Sequence, residues 1–153
     1  MTQSTLTNLK ELYGIDNHLW IQETVKLLEE KKFNDLDLDN LIEEIVAMGI
    51  SQKRELKSRL RVLMMHLLKY QYQSDKISRS WLSTIIEQRC QLEDLLEFNP
   101  SLRQYIVEII EKCYLEARKN ASKETKLPLN KFPLDNPFTV EQILNEDWFP
   151  NHN

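Results

Sequence analysis

The stretch Arg59–Arg89, RLRVLMMHLLKYQYQSDKISRSWLSTIIEQR, holds the residues of this chain best suited to chemistry. His66 interrupts an apolar helical run and Lys69 follows one turn later. Trp81 and Glu87-Gln88-Arg89 come on what should be the next helix. An imidazole beside a carboxylate is a base with its orienting group. Cations nearby would stabilise a developing anion, a set suited to hydrolysis or phosphoryl transfer. His66, Glu87 and Lys69 are therefore the candidate catalytic residues. Arg59, Arg79, Arg89 and Trp81 are the candidates for contact with an anion or a nucleic acid, the arginines through phosphates and the indole by stacking. Each has a structural alternative. A buried histidine satisfied by one carboxylate or amide can simply hold two helices in register. Trp81 lies in the first turn and on the apolar line of its helix, which favours core over stacking.

Other chemistries lack their residues. There is no HExxH or ExxH pair, so no metal is expected, nor any cofactor. Glycine-rich phosphate loops, a serine nucleophile elbow and a Cys–His pairing are absent from the sequence. Glu43 and Glu44 are adjacent and point about 100° apart on a helix, which favours one in solvent and one in a salt bridge. His18 shows no partner. Cys90 and Cys113 sit inside helical patterns, far from any CxxC, and read as small core residues in a reducing compartment.

The elements that must position these residues are helical. Glycine occurs twice in 153 residues and four of the five prolines lie after residue 126, so the chain before them has few breakers. Asp16 is placed to cap a first helix running to about Lys32. Asp37 or Asp39 can cap the next, where Leu41, Ile42, Ile45 and Met48 recur at the spacing of one buried face. Gly49 could end that helix. A new start there would put Lys53 and Arg54 against the positive end of a helix dipole, so one long helix, kinked or straight, is predicted from about Asp39 to Tyr72. Its stripe is Leu56, Leu60, Leu63, Leu67 and Tyr70. After the polar break Ser74–Arg79, Ser78 or Ser80 caps a helix to about Glu97, with Trp81, Ile85, Gln88, Leu92 and Leu95 on one line. Ser101 and Gln104 form a predicted capping box for a fourth helix, whose face is Leu102, Tyr105, Ile109 and Cys113. Thr139 and Gln142 form another, capping a short helix, Val140–Asn145, before Trp148-Phe149 staples the tail.

Short links between long amphipathic helices imply antiparallel neighbours. The predicted fold is all-α, an up-and-down bundle of four main helices with a short C-terminal helix and a Pro-rich tail packed on it. Residues 1–153 are read as one domain, with a core at 12–125 and the tail at 126–153. Counting outward from the break sets Lys69 opposite Thr84, His66 opposite Glu87-Gln88 and Arg59 near Asp94. One groove edge would then carry Glu55, Arg59, His66, Lys69 and Gln73 as a row rich in cations.

Charge is unevenly spread. Residues 1–52 carry 4 basic and 10 acidic groups, residues 53–79 carry 8 and 2, and residues 80–153 carry 8 and 12. The basic block can attract nucleic acid or pair with acidic elements of the same molecule or a second copy. An acidic chain favours the second. No run is long and apolar enough to span a bilayer, and the first residues, MTQSTLTNLKELYG, show no export signal. A cytoplasmic protein without membrane contact is expected.

Several blocks in order carry a family resemblance: Leu12-Tyr13, Asp16 and Leu19-Trp20; LDNLIEEIVAMG at 38–49; Lys53-Arg54; Ser58-Arg59-Leu60; LMMHLLKYQY at 63–72; Ser80-Trp81; TIIEQR at 84–89; Pro100-Ser101-Leu102; and NEDWFP at 145–150. On these the chain resembles the bacterial family catalogued as Domain of Unknown Function 29, over nearly its whole length. Tyr70 stands where a tryptophan is expected and Ile77 where a basic residue is. The resemblance implies a soluble all-helical domain and brings no activity or cofactor. The family motif includes His66, Lys69, Trp81, Glu87, Gln88 and Arg89.

Two functions are compatible with these residues. One is a helical-bundle protein acting through protein–protein contacts, including self-association into a homo-oligomer. The alternative is an enzyme or nucleic-acid-processing protein with a cleft around His66, Lys69 and Glu87.

Overall fold

The computed structural model describes residues 9–152, which contain six α-helices and no strand. α1 spans Leu9–Leu12, α2 Asn17–Glu29, α3 Leu38–Tyr72, α4 Arg79–Phe98, α5 Leu102–Thr125 and α6 Val140–Leu144. Four of them are long, and the architecture is the all-α bundle that the apolar spacing predicts. No helix among the described residues is long and apolar enough to cross a membrane. The reading of residues 1–14 as lacking an export signal falls partly on residues 1–8, outside those described. The chain divides into two compact units, Met1–Ile50 and Ser51–Asn153.

In the first unit Asp16 caps α2 as expected, accepting the Leu19 N–H at 3.0 Å. Trp20, Thr24 and Leu27, spaced four and three apart, form the buried face of α2. They pack with Leu9 and with the half-buried Leu12, Tyr13, Leu36 and Leu41. α2 ends short of Lys32 because Lys31 turns left-handed, with φ 58°, and the Lys32 N–H bonds back to the Leu27 carbonyl at 2.8 Å. Asp37 is buried just ahead of α3. One of its carboxylate oxygens accepts from the Trp20 indole (3.2 Å) and the Asn40 amide (2.7 Å).

α3 runs through Gly49 without interruption. The predicted buried face of its first half is corrected, however. Leu41 is half-buried, but Ile42, Ile45 and Met48 are 57%, 60% and 65% exposed. Among the described residues of this unit, α2 turns only Trp20, Thr24 and Leu27 inward and α1 is a single turn, so neither helix covers those side chains of α3.

The second unit holds the larger core. Leu56, Leu60, Leu63, Met64, Leu67 and Leu68 of α3 are fully buried, with Ile85 and Leu92 of α4 and Ile106, Cys113, Tyr114 and Ala117 of α5. Direction follows from side-chain pairs. Gln52 meets Asn99, Arg59 meets Gln88 and Lys69 meets Trp81, so α4 runs antiparallel to α3. Arg61 meets Glu116 and Lys69 meets Glu124, so α5 runs parallel to α3. The order is up, down, up.

Ser78 caps α4 by accepting the Trp81 N–H at 3.2 Å. The buried line of α4 is Ile85, Arg89, Leu92 and Leu96, one position on from the predicted Gln88 and Leu95. This rotation leaves Trp81 half-buried and Cys90 exposed, correcting the reading of both as core. α5 is rotated likewise, burying Ile106 and Ile110 while Tyr105 and Ile109 stay half-buried. Ser101 already has helical backbone angles and makes no capping hydrogen bond, so the predicted box there does not form. The box at Thr139 and Gln142 does, with both bonds at 3.0 Å. The tail buries Phe132, Phe138 and Ile143, and Trp148 and Phe149 pack against the same core.

Candidate functional site

Most of the expected site residues lie in the second unit at the contacts between α3, α4 and α5, but they are not gathered around His66. Lys69 is the centre of the clearest cluster. It is 6% exposed, its Nζ donates to Glu124 Oε2 at 2.7 Å, and it sits 4.5 Å from the centre of the Trp81 ring. A cation taken from water needs such compensation, supplied here by one carboxylate and one aromatic face. Trp81 therefore covers an ammonium group where the sequence reading had it stacking on a base or filling the core.

His66 is half-buried one turn earlier on α3. Its Nδ1 lies 2.9 Å from the Val62 carbonyl, which can only accept, so the proton belongs on Nδ1. Burial holds the imidazole below its ordinary pKa. The Val62 carbonyl pulls the other way, Lys69 lowers it further and Glu124 raises it. Glu87 takes no part in this: it is exposed and accepts from Gln91 within its own helix at 2.9 Å. The expected His66–Glu87 pair is thus not formed. Gln73–Ser78 is a single 3-10 turn, Ser74–Lys76, followed by extended backbone at Ile77 and Ser78. It therefore does not return the chain symmetrically, and Arg59 comes level with Gln88 where symmetric counting puts Asp94.

The predicted cation row is also dispersed. Arg59 donates to Glu55 at 2.9 Å and to Gln88 at 3.2 Å. Lys57 and Arg61 share Glu116 across to α5, at 3.7 and 3.0 Å. Burial raises the Glu116 pKa, but the Arg61 hydrogen bond and the surrounding cations outweigh that and lower it. Arg79 is exposed at the start of α4. Lys57, Arg61 and Lys69 thus have carboxylate partners on α5, whereas Lys53 lies over the Tyr105 ring at 4.9 Å.

Arg89 has a different task. It is 4% exposed, and its Nε and Nη2 donate to the carbonyls of Ile143 (2.8 Å) and Gln142 (3.1 Å), the last turn of α6. Its guanidinium packs on Phe149, 5.3 Å from the ring centre, and burial lowers its pKa. A cation at the negative end of a helix dipole is favourably placed. The remaining Nη1 is buried without a partner. A concavity of about 1010 Å3 adjoins Arg89, and Glu93, Glu97, Glu146 and Asp147 outnumber Arg89 and Arg103 along it, a lining that repels phosphate. Neither His66 nor Lys69 lines it.

Sequence reasoning missed Glu124 and the α6 carbonyls. Both lie more than fifty residues from their partners, on a parallel helix and a tail that no local spacing connects to α3 or α4. The family model described as Domain of unknown function DUF29 matches residues 12–149. No curated protein and no solved structure matches the chain.

Proposed function

We propose that this chain, which belongs to the DUF29 family, works as a protein-contact module, with the first unit and the middle of α3 as its working surface. The observation that carries this reading is the apolar surface left bare there. Ile21, Val25 and Leu28 form an exposed stripe on α2, and Leu38, Ile42, Ile45, Val46 and Ile50 form another on α3. Scattered exposed apolar residues are ordinary, but contiguous stripes mark interaction sites. Two of the charged side chains that could have served a reaction are engaged elsewhere, Lys69 with Glu124 and Arg89 with the α6 carbonyls.

A photo-crosslinking residue at Ile45, in cells that make the protein, tests this reading. Discrete protein adducts are expected at Ile45 and none at Arg79, the last residue of the chain's basic block. An absence of adducts at Ile42 and Ile45 alike would remove the reading. Lys69→Ala and His66→Gln should leave the adducts unchanged.

A further inference from the structure

Independently of the α3 stripe, we infer that the concavity beside Arg89 is a docking groove for a basic peptide segment of a partner protein. The groove lies wholly in the second unit. One wall is α4, where Ile86, Cys90, Glu93 and Glu97 recur at three and four and so share one exposed face. The other wall is the end of α6 and the turn after it, Leu144 to Asp147. That turn is closed by the Trp148 N–H on the Asn145 carbonyl at 3.1 Å and by the Asp147 N–H on Asn145 Oδ1 at 2.9 Å. Arg89 ties the walls together, since it belongs to α4 and its fork holds the Ile143 and Gln142 carbonyls. The groove is therefore built before anything enters it, which lowers the cost of binding.

Charge selects the class of occupant. Glu93 and Glu97 stand on one wall and Glu146 and Asp147 on the other, all exposed, against the guanidiniums of Arg89 and Arg103. Glu55, Glu116 and Glu124 are ion-paired inside the unit, but among the described residues none of these four is. The groove therefore attracts cations. Its size and the spread of its acids argue against a single ion. A volume of about 1010 Å3 stands at the top of the range for drug-sized ligands, roughly 300–1,000 Å3. Among the described residues no three acidic side chains converge closely enough to share a metal ion. A polyamine would answer the carboxylates alone, and two features ask for more. Ile86 is 62% exposed and Leu144 is half-buried, so the groove also offers apolar surface. Arg89 is 4% exposed and its Nη1 has no acceptor, a buried donor that calls for a carbonyl oxygen. A peptide with lysine or arginine beside aliphatic residues supplies all three: cations for the carboxylates, side chains for Ile86 and Leu144, and a main-chain carbonyl for Arg89.

The test uses the full chain and a fluorescein-labelled nine-residue peptide of alternating lysine and leucine, read by anisotropy. Micromolar binding is expected at 50 mM salt, at least tenfold weaker at 500 mM, and none for the same peptide with glutamate in place of lysine. Glu93→Lys with Glu97→Lys on one wall, and Glu146→Lys with Asp147→Lys on the other, should each weaken binding at least tenfold with helix content unchanged. Glu29→Lys with Glu43→Lys, the same change of charge in the first unit, should alter it less than twofold. In NMR spectra the bound peptide should shift the amides of residues 90–97 and 144–147. Absence of binding, or equal loss in all three variants, which would show attraction to net charge alone, would overturn the inference. Displacement of the peptide by an equimolar amount of spermine or magnesium would overturn it too, as would shifts confined to residues 17–50. None of these results depends on the adducts at Ile45, so the two readings fail separately.

Discussion

Lys69 illustrates how a residue with catalytic potential is held in a structural role. Its ammonium is committed to Glu124 and to the Trp81 face, leaving no free lone pair and no open approach. Lys69→Ala should cost about 2 kcal/mol in urea unfolding, through the lost cation–π contact and the lost packing of its buried stem. Glu124→Gln should cost less, below about 1 kcal/mol, because the Glu124 side chain is half exposed and solvent screens the pair. His66 gives a pH prediction. Its folded pKa lies below the ordinary 6.5, first because of burial, so the neutral ring is the form the fold favours. Its contribution is complete above pH 6.5 and is lost as pH falls through the lower folded value. NMR titration of the imidazole should give a midpoint below 6.5, and His66→Gln should flatten the acid side of the stability profile. A midpoint above 6.5 would mean that Glu124 governs the ring. Tyr13 behaves in the opposite sense. Its hydroxyl donates to Glu44 at 2.6 Å, and that bond raises its pKa to about 12. The stabilising protonated form is therefore intact below pH 10 and lost as pH climbs to 12, which absorbance of the phenolate reports directly.

Helices and their ends explain which parts of the bundle were legible. Caps read from short motifs succeed where the backbone before the helix is extended, as at Ser78 and Thr139, and fail at Ser101, where Pro100 already turns the chain into helical geometry. α6 has only five residues and would not persist alone. It is held by its capping box and by Arg89, whose two charge-assisted bonds reach the carbonyls of its last turn. Arg89→Ala should free the tail, with hydrogen exchange of residues 140–149 accelerated by at least tenfold and the core helices little changed. Arg89→Lys keeps the charge but cannot reach two carbonyls with a planar fork, so it should restore only part of that protection. Unchanged exchange in Arg89→Ala would show that Trp148 and Phe149 suffice to hold the tail. The α4 line was misread by one residue because Arg89, a charged type, takes a buried place that spacing rules give to a neutral neighbour.

At the scale of the whole chain, burial is divided unequally. The first unit encloses Leu9, Trp20 and Leu27, whereas the second encloses most of α3 beyond Glu55 and the inner faces of α4 and α5. Unfolding should follow that inequality. With Trp81→Phe and Trp148→Phe, Trp20 fluorescence alone reports on the first unit, and its midpoint should come at lower denaturant than the loss of helix signal. Coincident midpoints would mean that the two units unfold as one. The amino-acid sequence by itself determined the helical class, the Asp16 and Thr139 caps and the family, and it favoured a helix continuous through Gly49 and a cap at Ser78 or Ser80. These depend on contacts within a few residues and on the 3.6-residue period. Only the tertiary structure decided which charges meet and which apolar faces stay bare. Lys69 finds Glu124 and Arg89 finds α6 through packing between distant elements. Ile42 and Ile45 carry the same local pattern as Leu60 and Leu63, and the sole difference is whether another helix of the chain reaches them.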